Sequence, residues 1–379
     1  MKKINPEIKG LLGIILAILI IGFILAASTG KLDKYGITLF SGPKIYDSIL
    51  VSEHTKNKDK LIAFNIEAGT QKTILEADSI SDIDISPNGG KIVYIGYKDD
   101  SPQVFTINPD GKKNKAITNS DGGKYLPKFS SDGLSLAYIN KGRIFKSDPN
   151  GTNAKAIIPT KQQLQQFVSD RGEQLTCKDY VWSKAGKGML AVVSKGENKD
   201  RFVLMMDSYD AHEIPFPEEF KMQVIGITAA ETEDAYVAST KINDDFYAIF
   251  VIQVPEKHSH DMTIPETPEK YGCFPIYQSK DELGYPSMAP SQSAILISAR
   301  KTEKDQKNEA LFTLNIEDKK MSPVLAGFYT QIKTPAFTEG IVLESEENKV
   351  IFYDINSSKE TILSENSTSV CLSPQKPEK

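Results

Sequence analysis

Most of the chain alternates between short apolar runs and turn residues. The runs are rich in Ile, Val, Tyr and Phe, many of them alternate apolar with polar positions, and Asn, Asp, Gly and Pro separate them. Alternation with a period of two predicts β-strands, and the intervening residues predict hairpin turns. Segments with a helical period are scarce; the clearest, Lys161–Val168, predicts one or two helical turns between strands.

The clearest repeated unit extends from Asp82 to Thr118. It contains an alternating run, a nearly continuous apolar run at Lys91–Ile95, and two further runs. Its Asn-Gly and Asp-Gly turns favour tight hairpins because these residues tolerate positive φ. The same pattern begins again at Tyr125, about 43 residues further on, which is the spacing of a repeat architecture.

Weaker copies of this unit continue to Leu363. The final run, Ser369–Pro374, resembles the first strand of a unit, and the runs between Asp47 and Leu75 resemble the other three strands. A C-terminal strand that completes an N-terminal sheet closes a ring and removes its open edges. The sequence therefore predicts an all-β fold, a β-propeller of seven blades over residues 46–375. Blade counts of six and eight are the alternatives, because some copies are eroded and a run at 36–40 could compete with the C-terminal run for the first strand of the N-terminal sheet.

The turns of the two clearest units resemble the TolB-type propeller repeat, which is WD-like. The residues that carry the resemblance are Ser86–Gly89, Asn108–Gly111, Ser130–Gly133 and Asp148–Gly151. The resemblance implies a propeller related to the periplasmic TolB domain and to the propellers of prolyl-oligopeptidase-type enzymes. It implies no particular activity, although such propellers usually bind proteins or gate access to a partner domain. No counterpart of TolB's separate N-terminal domain is found, so TolB's specific role does not carry over.

One long apolar stretch lies near the start of the chain. Leu11–Ala27 contains no charged side chain and consists mostly of Leu, Ile and Phe, which predicts a membrane-spanning helix at residues 11–28. Lys2, Lys3 and Lys9 precede it and favour a cytoplasmic N-terminus. The prediction is a cytoplasmic segment at 1–10, a single-pass signal anchor in the cell membrane, a linker at 29–45 and an extracytoplasmic propeller. A signal peptide cleaved near Ala26-Ala27-Ser28 is the alternative.

The net charge bears on the class of partner, and the cysteine content bears on disulfides and metal sites. The net charge of −5 and the pI of about 5.6 leave no broad basic surface for phosphates, so nucleic acid is not an expected partner. Cys177, Cys273 and Cys371 are odd in number and far apart. Such spacing fits neither a disulfide scaffold nor a Cys-based metal motif, and we expect buried thiols.

No motif predicts a catalytic residue, a cofactor site or a metal site. The one histidine cluster, His258 and His260, lies in an irregular insert and is interpreted as a solvated loop. Asp82, Asp84 and the pair Asp99-Asp100 do not have the spacing of a calcium loop, and turn or strand-edge roles explain them. Neither a GxSxG nor a phosphate-binding glycine motif is present.

The Pro-rich segment between Pro255 and Pro286 carries aromatic residues among many charges. Exposed aromatics in loops on a rigid scaffold often bind partners, so the candidate binding residues are Tyr271, Phe274, Tyr277 and Tyr285. A disordered surface segment without a binding role is the alternative interpretation.

Two functions are compared, and a sensory or carbohydrate-binding role stays open beside them. The first is a membrane-anchored scaffold that binds a protein or an envelope component through one face of its ring. The alternative is a lactonase- or lyase-like propeller enzyme with a metal site in its central channel.

Overall fold

The computed structural model describes residues 42–160, 175–184, 188–206, 211–230, 235–243, 246–253, 267–270, 272–289, 291–303 and 306–377. These residues form strands and turns and contain no helix. Numbered along the chain, the strands are β1 Ile49–His54, β2 Asp59–Asn65, β3 Thr70–Ala77, β4 Ser81–Ile85, β5 Ile92–Lys98, β6 Ser101–Ile107, β7 Lys115–Ala116, β8 Lys124–Phe129, β9 Leu136–Asn140, β10 Arg143–Ser147, β11 Lys155–Ile158, β12 Thr176–Trp182, β13 Gly188–Ser194, β14 Asp200–Met206, β15 Ala211–Glu213, β16 Met222–Ala229, β17 Ala235–Ile242, β18 Phe246–Gln253, β19 Cys273–Ser279, β20 Glu282–Leu283, β21 Ser287–Met288, β22 Ala294–Glu303, β23 Gln306–Asn315, β24 Met321–Ala326, β25 Tyr329–Lys333, β26 Gly340–Ser345, β27 Val350–Asp354, β28 Lys359–Ser364 and β29 Ser367–Leu372.

These strands form seven antiparallel sheets, the blades of a propeller. From the innermost strand outwards, blade 1 is β29-β1-β2-β3, blade 2 is β4-β5-β6-β7, blade 3 is β8-β9-β10-β11 and blade 4 is β12-β13-β14-β15. Blade 5 is β16-β17-β18-β19, blade 7 is β25-β26-β27-β28, and in blade 6 the short strands β20 and β21 both pair with β22, followed by β23 and β24. The prediction of a seven-bladed, all-β propeller is confirmed.

Blade 1 closes the ring by combining strands from the two ends of the described chain. β29 pairs with β1 so that Val51 lies opposite Val370 and Leu50 opposite Cys371. Beyond the ladder, the Ser48 amide donates to Ser373 Oγ at 2.8 Å, and the Ser373 amide donates to the Ser48 carbonyl at 2.9 Å. This is the closure that the sequence predicts.

The core consists of apolar layers between neighbouring blades. In β1, Ile49 and Val51 pack towards blade 7, whereas Leu50 packs towards blade 2. Because successive side chains of a strand point to opposite faces, a blade with neighbours on both sides needs apolar residues at nearly every position of its inner strands. This explains the nearly continuous apolar sequences of β5 and β9.

The glycines of the Asp-Gly and Asn-Gly turns are needed where one blade touches the previous one. Gly111 has a φ of +82°, and a Cβ there would lie 2.7 Å from the carbonyl oxygen of Ile74 in β3. Gly151 repeats this arrangement in blade 3, 2.6 Å from the carbonyl oxygen of Ile117. A side chain would be strained at either position and would push the blades apart.

The strand directions define two faces of the ring. The terminal face carries the turns between the first and second, and the third and fourth, strands of each blade; the opposite face carries the remaining connections. Both ends of the described chain lie on the terminal face. The Ile45 amide donates to the Gly89 carbonyl at 3.0 Å, and the Lys376 amide donates to Asp47 Oδ1 at 2.8 Å.

Several predictions fall on residues outside the described ranges. These are the membrane helix at 11–28, the competing strand at 36–40, the helical turns at 161–168, and His258 with His260. Within the described ranges, no helix is both long enough and apolar enough to cross a membrane.

All three cysteines are free and buried, as expected from their spacing. Burial raises the pKa of Cys177 and of Cys273 to about 12 and raises the pKa of Cys371 as well. Because the thiolate is the reactive form, we expect these thiols to be inert in the folded protein.

Val370→Ala should weaken the closure of the ring. Val370 is 3% exposed and packs with Ile49 and Val51 between blades 7 and 1. Its truncation should lower the free energy of unfolding by about 2 kcal/mol, as measured by urea denaturation. Thr361→Ala, at an exposed position of β28, is the control and should change the free energy of unfolding little. Equal effects of the two variants would contradict the role of Val370 in closing the ring.

Candidate functional site

The seven inner strands surround a central channel, and each of them is irregular at a similar height. Five of them carry a register shift against the second strand of their blade, between Ser81 and Asp84, Tyr125 and Lys128, Cys177 and Asp179, Val224 and Gly226, and Tyr329 and Gln331. In blade 1 the shift leaves Thr368 as the additional residue of β29, and in blade 6 the inner strand is split into β20 and β21. A bulge redirects side chains, so at this height polar groups reach neighbouring blades. We call this height of the inner strands the channel level.

Two aspartates of blade 2 bind the backbone of blade 3. Asp82 Oδ2 accepts a hydrogen bond from the Leu126 amide at 3.0 Å, and Asp84 Oδ2 accepts one from the Phe129 amide at 2.8 Å. Asp82 and Leu126 both have positive φ, of 48° and 51°, which the bulges require. Burial raises the pKa of both carboxyls, that of Asp84 to about 6, and the amide bonds partly oppose the effect.

Lys128 continues the connection from blade 3 to blade 4. Its Nζ lies 3.3 Å from Asp179 Oδ1, donates to the Tyr180 carbonyl at 2.6 Å, and lies 5.0 Å from the centre of the Tyr180 ring. In return, the Tyr180 hydroxyl donates to the Leu126 carbonyl at 2.5 Å, and Trp182 Nε1 donates to the Lys128 carbonyl at 3.1 Å. Blades 3 and 4 are thus connected in both directions.

Tyr285 makes a contact that passes over blade 5. This residue lies between β20 and β21 of blade 6, and its hydroxyl donates to Asp179 Oδ2 of blade 4 at 2.5 Å. Gly226 of blade 5 makes room for the ring, because a Cβ there would lie 2.5 Å from the ring carbons. Burial and the charge of Asp179 raise the pKa of Tyr285 well above its ordinary value, so the hydroxyl keeps its proton and remains a donor.

Blade 7 adds Lys333 and Glu344 to the same level. Burial lowers the pKa of Lys333 and raises that of Glu344, while the charge of each partly opposes the shift of the other. Lys333 is also close enough to Asp84 and Lys128 for their charges to act on it. The charges of blades 2, 3 and 7 therefore influence one another at this level.

Hydrogen bonds between a side chain and a backbone group also connect four further pairs of neighbouring blades. The bonds are Ile83 N to Ser369 Oγ at 3.0 Å, Val224 N to Asp200 Oδ2 at 3.0 Å, Ser239 Oγ to the Gly284 carbonyl at 2.7 Å, and Thr334 Oγ1 to the Met288 carbonyl at 3.0 Å. Much of the polar character of the channel level thus holds blades together. Within the described ranges, no cluster of three His, Cys, Asp or Glu residues could hold a metal ion.

Asp99 and Asp100 have the turn role expected of them. Both have positive φ, of 51° and 58°, between β5 and β6, as in the tight hairpin turns that favour Asp, Asn and Gly. Asp82 and Asp84 lie in a strand, where they accept amides from the next blade.

The predicted placement of the candidate aromatics in a loop is wrong for Phe274 and Tyr277, whereas Tyr285 does lie in a connection, between β20 and β21. Phe274 and Tyr277 lie on β19, the outer strand of blade 5, opposite Val251 and Ile249. Phe274 is 41% exposed, Tyr277 is half-buried, and Tyr285 belongs to the channel level. The proline and turn residues around β19 did not indicate a strand, because β19 is defined by its pairing with β18. Tyr271 lies outside the described residues, and a binding role for these side chains stays a prediction.

A groove on the opposite face, at the junction of blades 7 and 1, was not predicted from sequence. It has a volume of about 780 Å³ and lies between residues 53–56, at the end of β1, and residues 362–366, around the end of β28. Its walls include Glu53, His54, Glu365 and Ile362, an apolar side chain that is 51% exposed. Only ring closure brings these two segments together, so no local motif could have indicated the groove.

Comparison with known proteins supports the fold. No family model and no curated protein matches the chain. Tricorn protease matches with a TM-score of 0.59 at 9% identity, over 86% of this chain and 36% of that one. An oligogalacturonate lyase in complex with manganese matches with a TM-score of 0.58 at 9% identity, over 86% of each chain. TolB from Acinetobacter baumannii has a TM-score of 0.47 at 13% identity, over 74% of this chain and 65% of that one.

These similarities concern the fold alone. The chain spans only about a third of the length of tricorn protease, and the TolB match is too weak to support an argument. The β-propeller implied by the TolB-type turns is present, whereas a shared activity does not follow from any of these structures.

Asp84→Asn should change how stability depends on pH. The folded protein holds the Asp84 proton up to about pH 6, whereas the ordinary pKa is 3.8, so this group stabilises the fold below pH 3.8 and loses that contribution as pH rises through 6. The shift corresponds to at most about 3 kcal/mol, and to less because the carboxyl is only half-buried and solvent screens it in part.

The variant should therefore lose part of the decrease in unfolding free energy that the parent shows between pH 4 and 7, in urea titrations. Asp132→Asn, at an exposed turn position, is the control and should keep the parent's profile. An unchanged profile in Asp84→Asn would show that this carboxyl has an ordinary pKa.

Tyr285→Phe tests whether the contact over blade 5 is structural. Removal of the hydroxyl leaves Asp179 Oδ2 without its donor, which should lower the free energy of unfolding by about 1–2 kcal/mol. Tyr277→Phe, at a half-buried position on β19, is the matched control and should have an effect below about 0.5 kcal/mol. Similar values for the two variants, measured in urea, would refute the assignment.

Proposed function

We propose that the chain is a membrane-anchored, extracytoplasmic propeller that acts as a scaffold and binds a protein or an envelope component. The observation that carries the proposal is the use of the channel-level side chains. Asp82, Asp84, Lys128 and Tyr285 are engaged with neighbouring blades, which fits a structural role. Binding is then left to the exposed loops, the aromatic side chains of blade 5 and the groove at the junction of blades 7 and 1.

The groove favours binding through the opposite face of the ring. Its walls combine an exposed apolar side chain, Ile362, with carboxylates and an imidazole, and such mixed concave surfaces are typical of recognition sites. The two ends of the described chain lie on the other face, so an anchor that precedes residue 42 would leave the groove accessible.

The enzyme alternative needs a metal ion in the channel. The lyase with a similar fold was solved with manganese, and carboxylates are available at this level. Their bonds to backbone amides and to Lys128 compete with metal coordination, which favours the scaffold. Metal analysis of the natively purified chain separates the two functions: a stoichiometric divalent ion that Asp179→Asn removes would favour the enzyme.

Leu19→Arg should release the protein from the membrane. An arginine at the centre of the predicted helix costs about 2.5–3.5 kcal/mol of insertion free energy, so the variant should shift from the carbonate-resistant membrane fraction to the soluble fraction, whereas Leu19→Ala should not.

The side of the membrane on which the propeller lies is tested with protease. Added protease should digest the propeller in right-side-out vesicles only. Digestion in inside-out vesicles would contradict the extracytoplasmic placement, and loss of the N-terminal segment from the mature chain would favour a cleaved signal.

Photo-cross-linking tests the binding face with a matched pair of positions. A photoreactive residue at Ile362, in the groove, should yield protein or envelope adducts in intact cells. The same residue at Ile355, which is 44% exposed on the terminal face, should not yield those adducts. Adducts from Ile355 alone, or from neither position, would contradict binding through the opposite face.

A further inference from the structure

Five lysines lie close together on the terminal face, at the junction of blades 1 and 2. We call them the basic patch: Lys72 in β3, Lys91 between β4 and β5, Lys112 and Lys113 between β6 and β7, and Lys115 in β7. Four are exposed and Lys91 is half-buried. One carboxylate accompanies the lysines, that of Asp110, whose Oδ2 lies 3.9 Å from Lys112 Nζ. The patch is therefore strongly positive on a chain whose net charge is −5.

Contacts between the two blades hold the patch in place. Lys72 Nζ donates to the Pro109 carbonyl at 3.3 Å, and Gly111 packs against the Ile74 carbonyl of the same strand. These contacts fix the turn that carries Lys112 and Lys113 against blade 1. Burial lowers the pKa of Lys91, and the charges of Lys115 and Lys113 lower it further, so the ammonium groups act on one another.

The described chain begins beside this patch. The Ile45 amide bonds the Gly89 carbonyl, in the same turn as Lys91. Between residue 42 and the predicted anchor at 11–28, the segment 29–41 can span about 45 Å at most when fully extended. A chain anchored at 11–28 would thus hold the terminal face within a short distance of the membrane.

We propose that the basic patch docks on anionic lipid headgroups of the membrane that holds the chain, so that the terminal face lies against the bilayer. This inference rests on the proposed function, because it requires the anchor. Clusters of lysines are attracted to anionic membrane surfaces over about one Debye length, and the short connection keeps the local concentration of lipid high. The opposite face, with its groove, would then point away from the membrane towards a partner.

The test uses the full chain reconstituted into vesicles of phosphatidylcholine, with or without an equal amount of phosphatidylglycerol. Two variants with one added cysteine each place a fluorophore at opposite ends of blade 1: Gln71→Cys near the patch and Asn57→Cys on the opposite face, both at exposed positions. The native thiols are buried and should not be labelled. Lipids with a nitroxide headgroup quench fluorophores that lie at the membrane surface.

We expect phosphatidylglycerol to increase the quenching at position 71 by about twofold, to leave position 57 unchanged, and to lose its effect in high salt. The triple variant Lys112→Gln, Lys113→Gln, Lys115→Gln should reduce quenching at position 71 to the phosphatidylcholine value. The control Lys56→Gln, Lys58→Gln, Lys98→Gln removes the same charge from exposed positions of the opposite face and should have no effect. Circular dichroism melting of both triple variants checks that the fold is kept.

Equal quenching at position 71 in both lipid compositions, or equal effects of the two triple variants, would overturn the docking proposal. Failure of the anchor has a different signature. A chain without an inserted helix would not float with pure phosphatidylcholine vesicles in high salt, whereas an anchored chain would float whether or not its patch contacts lipid.

Discussion

The pairing of β29 with β1 is the constraint on which the other contacts depend. Ile49, Leu50 and Val51 are fully buried, and they are covered on one side by blade 7 and on the other by blade 2. A single sheet cannot cover both of its own faces. Each blade is stable because two neighbours cover it, and this holds for every blade only when the first and the last are joined. Hydrophobic burial thereby makes the ring a cooperative unit.

The crowding of seven strands around one axis explains the polar level of the channel. Inner strands that converge leave amides of the next blade partly unpaired where a bulge interrupts the ladder, and a buried unpaired amide is costly. Asp82 and Asp84 supply acceptors at two such positions. Lys128 then balances the charge that Asp179 brings to the same level, and Tyr285 donates a hydrogen bond to it. The carboxyls with raised pKa values thus follow from the way the blades are joined, and no catalytic role is needed to explain them.

Local chemistry determined most of what could be predicted from the sequence. The Asn-Gly and Asp-Gly turns, the apolar runs of β5 and β9, and the strand-like ends of blade 1 identify seven blades because each feature depends on residues close together in the chain. The bulges at Asp82 and Leu126 were not predicted, because a register shift depends on the facing strand. The contact of Tyr285 with the channel level was not predicted for a similar reason: its partner Asp179 and the space at Gly226 come from two other blades. The groove beside Ile362 joins segments from opposite ends of the described chain, and no short pattern encodes it.

The bond between Tyr285 and Asp179 also bears on how this fold can diversify. It connects blades 4 and 6 directly, in front of Gly226, so the spacing of these two blades is fixed by more than the strands of the blade between them. The turn between β18 and β19 of that intermediate blade carries the long insert rich in proline and histidine. Because the entropy of closing a loop grows slowly with its length, a blade braced from both sides can accept new sequence at its outer end while the ring keeps its dimensions. Blade 5 is therefore a position at which this ring can carry a long insert without a change in the spacing of the blades beside it.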